Sequence, residues 1–442
     1  MTSPAGELTA SGVRVARRQS LWQQVPAGLL DSACSSLATF IIGLLAVHAL
    51  AGQALGAYSL AFTAFLFIST VPAALAFIPA EAAAISITEG GDRLGVLRRS
   101  LPGGLVIAVL SALVGTAVMI AIPTDAGLSA RVSTGLGLLL LGSVSPVQDH
   151  LRRMLHAAEH SWSAAAVSLT QLVAVAVGVG VVLLADLGGK VWMPFTLLGC
   201  ANLLSTIVGL VFASRRVTDP TLFRHFQLHG VMRTGRWLLS SQFAGSALGF
   251  VLVAIISTFS GSSAAGFAEA ARVLCQPPTV IVTGLLSVIG PEIQSAMAAG
   301  RPRRLHALQW RFAIPVTLVT VVWGCLMVLP PFSTLLHHYF VRAYAVPGLL
   351  LIFLLGQVLA YSNNVLAGPF LVSGHARRLA TTAYLAMATA LTIVLVWRTH
   401  GALALAWATA AGELLQLTVL LWRQRRLLGQ TGAVAAAGSP PP

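Results

Sequence analysis

Residues 156–160 read His-Ala-Ala-Glu-His, an H-x-x-E-H spacing in which two neutral imidazoles could hold zinc and the glutamate could act as base. Such a site also needs a third ligand and a protected cavity. Beyond this string, only Asp186 and Asp219 supply carboxylates before Glu269, and both fall in loop-like stretches. Just upstream, Asp149 and Arg152 stand three residues apart, a helical-turn spacing that makes a local ion pair or a first contact for an anionic head group. Arg272 lies inside a long apolar run with Glu269 three residues before it, so its guanidinium either meets a ligand phosphate or is neutralised by its neighbour. Asp31 and Glu413 are the most deeply placed acids. Either could carry a coupling proton or sodium ion or pair with Arg272, and Glu413 has Gln416 one turn away. Asn363 and Asn364, with Gln357 two turns earlier, offer hydrogen bonds to ligand hydroxyls or between helices.

The elements that must position these side chains are membrane spans. Of 442 residues, 56% are hydrophobic and 9% charged, and the mean hydropathy is +0.84. Soluble domains carry about 25% charged residues. Apolar runs of about 20 residues, enough for a helix to cross ~30 Å of hydrocarbon, recur along the chain. Twelve are expected: Val25–Leu50, Ala57–Ala80, Leu101–Pro123, Val132–Gln148 continuing to about His150, Ala164–Ala185, Val191–Ala213, Trp237–Ser257, Ala264–Ile289, Phe312–Pro331, Val346–Val372, Leu379–Trp397 and Ala402–Trp422. The runs lack the alternation of barrel strands. Arg17 and Arg18 precede a first run ending Ala49-Leu50-Ala51, but its length and Asp31 mark it as a retained helix rather than a signal peptide.

Basic residues set the orientation. With the N-terminus inside, 22 of the 27 fall in cytoplasmic segments, whereas Arg131, Lys190, Arg342 and Arg398 face outward and Arg272 is intramembrane. This asymmetry places both termini in the cytoplasm. It also accounts for the net charge of +14 without a nucleic-acid partner. The four cysteines, Cys34, Cys200, Cys275 and Cys325, lie in apolar runs with no C-x-x-C, implying neither a disulfide framework nor a metal site.

The spans divide six and six at the most charged loop, and the halves show a weak internal repeat. At an offset of 209, Leu29, Leu30, Ser32 and Gly52 fall on Leu238, Leu239, Ser241 and Gly261. Six spans per half give parallel repeats able to rock about a central site. The expected organisation is an N-terminal segment (1–20), an N-terminal half (21–213), a basic linker (214–236), a C-terminal half (237–426) and a structureless tail (427–442). Pro277 and Pro278 interrupt the eighth run and are expected to bend or hinge it.

Three stretches, His48–Glu81, Val147–Ala165 and Ala264–Ile293, resemble the polysaccharide-transporter branch of the multidrug/oligosaccharidyl-lipid/polysaccharide exporter superfamily. The resemblance spans most of Leu21–Arg426 and is diffuse. It rests on a Gly52-x-x-x-Gly56 turn before an aromatic helix, on Gln148, Asp149 and Arg152 closing the fourth helix, and on Gly266, Arg272, Pro291 and Glu292 around the eighth. Members often carry an arginine late in the second helix, where Ala73–Ile78 supply none.

The resemblance implies an all-α flippase of the bacterial inner membrane that carries undecaprenyl-diphosphate-linked sugars to the outer leaflet for cell-surface polysaccharide synthesis. Its expected partners are membrane lipids and a glycosyltransferase or polymerase, and it would work as a monomer without a cofactor. On this basis substrate contacts are assigned to Arg272, Arg152, Asp149, Asn363 and Asn364, and ion coupling to Asp31 and Glu413. No P-loop, G-x-S-x-G or strand-linked G-x-G-x-x-G occurs, so neither ATP hydrolysis nor another enzymatic activity is expected. The competing readings are a drug or metabolite/cation antiporter of the same superfamily and an intramembrane zinc peptidase built on His156 and His160.

Overall fold

Lipid offers no hydrogen bonds, so a spanning chain must satisfy its backbone internally, and helices do this within one segment. The computed structural model describes residues 21–85, 90–121, 127–214, 228–298, 301–372 and 376–437, and among them every regular element is a helix. The expected N-terminal segment and the middle of the basic linker lie outside the described residues.

The N-terminal half comprises α1 (Leu21–Ala49), α2 (Gly52–Pro72), a π-helical turn (Ala73–Phe77), α3 (Ile78–Ile85), α4 (Gly90–Ala121), α5 (Leu128–Ala157), α6 (Ser161–Leu184) and α7 (Trp192–Ser214). The C-terminal half follows with α8 (Leu228–Ser260), α9 (Ser262–Leu274), α10 (Pro277–Ala298), α11 (Pro302–Val328), α12 (Phe332–Tyr339), α13 (Val341–Tyr344), α14 (Leu349–Val372), α15 (Ala376–Val396) and, after a short 3₁₀ turn, α16 (Ala402–Ala437). Among the described residues eleven helical stretches are long and apolar enough to cross a membrane. The remaining expected span, the eighth, is divided between α9 and α10.

Prolines account for both irregularities. Pro277 and Pro278 cannot donate to the carbonyls of Val273 and Leu274, so the ladder breaks between α9 and α10. The freed carbonyls find protein partners: Gln276 N donates to Val273 O at 3.0 Å, and Trp323 Nε1 donates to Leu274 O at 3.0 Å. In the second span, Pro72 and Pro79 remove donors for Ile68 and Leu75, and the register widens so that Ile78 N bonds to Ala73 O.

Three expected boundaries need correction. The fourth span runs to Ala157 rather than about His150, because Leu151, Met154 and Leu155 continue its buried face. Helix α8 begins at Leu228, inside the expected linker. Helix α16 reaches Ala437, inside the expected structureless tail, where Ala433, Ala435, Ala436 and Ala437 are strong helix formers.

The halves meet along α1 and α2 of one and α8, α9 and α10 of the other. On the face opposite the arginine-rich segments this contact is backbone-tight. A Cβ added at Gly56 would lie 1.8 Å from the Ser262 carbonyl oxygen, and one at Gly266 would lie 2.9 Å from Gly52 O. Only glycine permits such an approach. Arg342 strengthens the seal by donating to the carbonyls of Val47 and Leu50 at the end of α1. At the arginine-rich end α8 also approaches the second span at backbone distance, since a Cβ at Gly235 would lie 2.6 Å from Leu75 O and 2.7 Å from Ala74 O. Side chains add to it: the Thr70 and Ser246 hydroxyls lie 2.8 Å apart, and Phe67 meets Phe243 edge to face at 4.9 Å.

A Cβ at Gly52 would stand 3.7 Å from that of Ser263, within the range a disulfide spans. The Gly52→Cys/Ser263→Cys variant is therefore expected to cross-link on mild oxidation. The link is read on a non-reducing gel after a protease cut engineered into 214–236, with each single variant as control.

Candidate functional site

Among the described residues, two of the cavities are lined by the polar side chains of the spans. The smaller, about 350 Å³, lies mainly against the N-terminal half, between Ser35 and Thr39 of α1, Phe62 and Ser69 of α2, and Gln148, Asp149 and Arg152 of α5, and is closed from the C-terminal half by Gln276 and Thr279. The larger, about 1000 Å³, lies between the halves and is lined by Thr63, Thr70, Arg153, Gln242, Ser246, Asn363, Asn364, Glu413 and Gln416. Leu66 borders both.

Asp31, one-third of the way along α1, is buried and accepts hydrogen bonds from three side chains on two other helices. Arg152 grips it in bidentate fashion at 2.8 and 2.7 Å, His156 Nε2 lies 3.0 Å away, and Ser168 donates at 2.5 Å. The same guanidinium reaches Ser35 Oγ at 3.0 Å and Asp149 Oδ1 at 3.1 Å. Helical spacing builds this knot: Asp31 and Ser35 are one turn apart on α1, and Asp149, Arg152 and His156 follow one face of α5. Of the alternatives open to Asp31, a basic partner is present, and it is Arg152 rather than Arg272. Arg152 lies more than a turn inside α5 rather than at its end, because the helix extends further than expected.

The zinc-like string is divided by structure. Helix α5 ends at Ala157, Glu159 adopts φ 64°, and His160 precedes α6, so the histidines do not share a helical face. His156 uses both ring nitrogens, toward Asp31 and toward Ser161 at 3.1 Å, and Glu159 lies 3.9 Å from Arg93. Among the described residues no cluster of three or more metal-ligating side chains occurs.

Arg272 takes the structural alternative. Its Nε and Nη2 reach Glu269 at 2.9 and 2.6 Å, and its guanidinium lies 4.6 Å from the centre of the Phe62 ring. Glu269 also accepts from Ser59 at 3.4 Å. Arg272 is not among the residues that line either cavity, and its i, i+3 partner is a carboxylate with 1% of its side chain exposed. Pro277 and Pro278 do break the helix, yet their freed carbonyls are capped by protein rather than turned to the cavity.

In the C-terminal half, Asn363 is buried and its amide donates to the Glu413 carboxylate at 2.6 Å and to that residue's carbonyl at 3.0 Å. This contact gives Glu413 a partner on α14 in addition to its neighbour Gln416 on α16. Asn364, next in sequence but turned outward, is exposed toward the large cavity.

Two networks escape sequence reasoning. Gln148 donates to Gln171 at 3.0 Å, and Gln171 to Asn202 at 2.7 Å, an amide chain across α5, α6 and α7. At the cytoplasmic end, His150 bridges Glu81 Oε1 and Ser100 Oγ, both at 2.8 Å, under the stacked ring of Phe77 at 4.3 Å. Arg153 shares Glu81 at 3.6 Å while 52% of its side chain stays exposed at the large cavity. The signal available was a string of isolated polar residues in apolar runs. Their pairing needs the three-dimensional register of helices distant in sequence.

Removing Arg272 alone would strand the buried Glu269 charge, a change that costs about 3–5 kcal/mol. Arg272→Ala is expected to lower the thermal unfolding midpoint in detergent markedly, and Glu269→Gln/Arg272→Gln to recover most of the loss. An Arg272→Ala protein as stable as the wild type would refute the pairing.

No protein-family model and no curated protein matches the chain. Solved structures do. An inward-facing conformation of a multidrug resistance MATE family transporter of the MOP superfamily aligns over 94% of this chain and 96% of its own, at 15% identity and TM-score 0.65. An outward-facing conformation described in the same terms aligns over 93% and 95%, at 15% identity and TM-score 0.69. A MOP superfamily transporter from Pyrococcus furiosus, whose binding pocket of reverse polarity is taken to suggest a different function, aligns over 93% and 96% at 17% identity and TM-score 0.66. The chain is a multi-pass, all-helical membrane protein with the fold of the MATE transporters of the MOP superfamily, two halves of six helices each.

Proposed function

We propose that the chain is an alternating-access flippase that moves a polyprenyl-diphosphate-linked oligosaccharide from the cytoplasmic to the outer leaflet of the bacterial inner membrane, for cell-surface polysaccharide synthesis. The observation that carries this reading is the placement of Arg153. Arg152 and Arg272 are held in short bidentate pairs, whereas Arg153 is half exposed at the cytoplasmic end of the large cavity and only loosely tied to Glu81. A permanent, fork-shaped cation there suits a diphosphate. Deeper in the same cavity Asn364, Gln242 and Gln416 offer hydrogen bonds to sugar hydroxyls.

Such a head group cannot cross hydrocarbon unaided, since burying unpaired charge is prohibitive. The backbone contact at Gly56 and Gly266 on the outer side fits a carrier whose large cavity, with Arg153 at its inner end, loads from the cytoplasm. Two parallel six-helix halves rocking about one site supply the alternation. Neither a nucleotide motif nor a cofactor is invoked, so an ion gradient or removal of the product supplies the direction. Partners are bilayer lipids and the glycosyltransferases or polymerase that make and consume the lipid-linked sugar, and one chain suffices.

A drug or metabolite/cation antiporter is the second reading, favoured by Glu413, an acid at the cavity wall whose polar partner is a neutral amide. Its similarity to multidrug resistance transporters of this fold supports the same reading.

Reconstituted vesicles separate the two. Leaflet accessibility of a polyprenyl-diphosphate oligosaccharide is expected to equilibrate with wild-type protein, to slow about tenfold or more with Arg153→Ala, and to be only partly retained with Arg153→Lys, which keeps the charge but loses the fork. Oxidised Gly52→Cys/Ser263→Cys protein should not flip, and reductant should restore it. Absence of flipping by the wild type, together with gradient-driven uptake of a cationic dye lost in Glu413→Gln, would reject the first reading in favour of the second.

A further inference from the structure

On the outer side of the C-terminal half, α11 and α16 flank a slot of about 420 Å³ floored by α14. Phe312, Val365, Leu366 and Leu417 make its walls apolar. Gln309 and Gln424 cross one end, each amide donating to the other at 3.3 Å. This is the cytoplasmic end, beside the arginine-rich starts of α11 and the last turns of α16 within the bilayer. His306 and Arg425 stand at the same end, exposed, and neither has a hydrogen-bond or ion-pair partner among the described residues. Trp310 on the rim and Trp422 nearby are exposed too, the latter 3.9 Å beneath the Arg426 guanidinium. Exposed tryptophans at this depth mark the level of the lipid head groups.

An apolar slot running into the membrane, capped at head-group depth by an arginine and a histidine, is complementary to an amphiphile with a hydrocarbon chain and an anionic head. Arginine binds phosphate oxygens through its planar fork, and the paired amides offer hydrogen bonds to ester or glycerol oxygens. A zwitterionic head would bring an ammonium group toward two basic side chains, so a net anionic head is preferred. We infer that the slot between α11, α14 and α16 is a binding site for an anionic phospholipid of the cytoplasmic leaflet, its phosphate at Arg425 and His306 and one acyl chain along Val365 and Leu417.

The bound chain lies on the back of α14. Val365 borders both slot and large cavity, and Asn363 and Asn364 precede it on the cavity side. The lipid therefore supports the helix that carries the cavity's amides while remaining outside the transport path. This assignment does not depend on which substrate is carried.

Native mass spectrometry of the full chain, released from bilayers of equal phosphatidylglycerol and phosphatidylcholine, tests the site. One phosphatidylglycerol per chain is expected to survive detergent conditions that strip other lipid. His306→Gln/Arg425→Gln should weaken its retention about tenfold. Ala313→Leu, which narrows the slot with both basic groups intact, should weaken it comparably, whereas phosphatidylcholine retention should be the same in all three proteins. Equal phosphatidylglycerol retention in the three proteins overturns the inference. So does loss in the charge variant alone, which would mean surface attraction without a slot. Displacement of the phospholipid by added polyprenyl diphosphate would assign the slot to the substrate's lipid and overturn the stated source.

Discussion

Charge cannot be left alone in hydrocarbon, and the interior of this protein is organised around that constraint. Asp31 is gripped by Arg152, Glu269 by Arg272, and Glu81 by His150 and Arg153. Each pairing also fixes how helices sit together. The Asp31 knot ties α1 to α5 and α6, the Glu81 cluster ties α3 to α4 and α5, and Glu269 meets Ser59 across the two halves. What remains available at the large cavity is a loosely held arginine, an amide-bonded glutamate and neutral hydrogen-bonding groups. The polarity of the cavity is thus the remainder after structural neutralisation.

A second organising element is the treatment of backbone at the junction between halves. Glycines at 52, 56 and 266 let two helices meet at backbone distance on the outer face, while prolines at 72, 79, 277 and 278 loosen the second and eighth spans toward the inner face. The second span is also approached closely at its irregular end, where Gly235 of α8 packs against the Ala74 and Leu75 carbonyls. On the inner side a hydroxyl pair and an aromatic pair accompany the glycine contact. Trp323, from α11, caps the break in the eighth span, so that irregularity is supported by its neighbour.

Much of the architecture was legible in the sequence. Run length and hydropathy placed twelve spans, because crossing a bilayer demands a minimum apolar length whatever the tertiary packing. Proline positions located the break in the eighth span. Boundaries were less legible: α5, α8 and α16 all extend past their apolar segments, since helices continue into the interface wherever local propensity and neighbouring packing allow. The candidate site was only partly legible. Asn364 and Glu413 were identified as polar positions in apolar runs, and they do line the large cavity. Arg153, the cavity's cation, was read merely as an orientation signal, because its sequence neighbours resemble those of any cytoplasmic loop.

The sequence by itself determined that this is a polytopic helical membrane protein, how many spans it has, where proline interrupts them, and which few residues are ionisable within apolar runs. Those properties follow from composition and one-dimensional spacing. Only the tertiary structure decided which charges neutralise one another. Arg152 and Arg153 are adjacent in the chain, yet a helix turns successive side chains about 100° apart. One therefore points into the knot around Asp31, 121 residues away, and the other reaches the large cavity. Arg272, the more conspicuous residue in the sequence, is spent on its own neighbour.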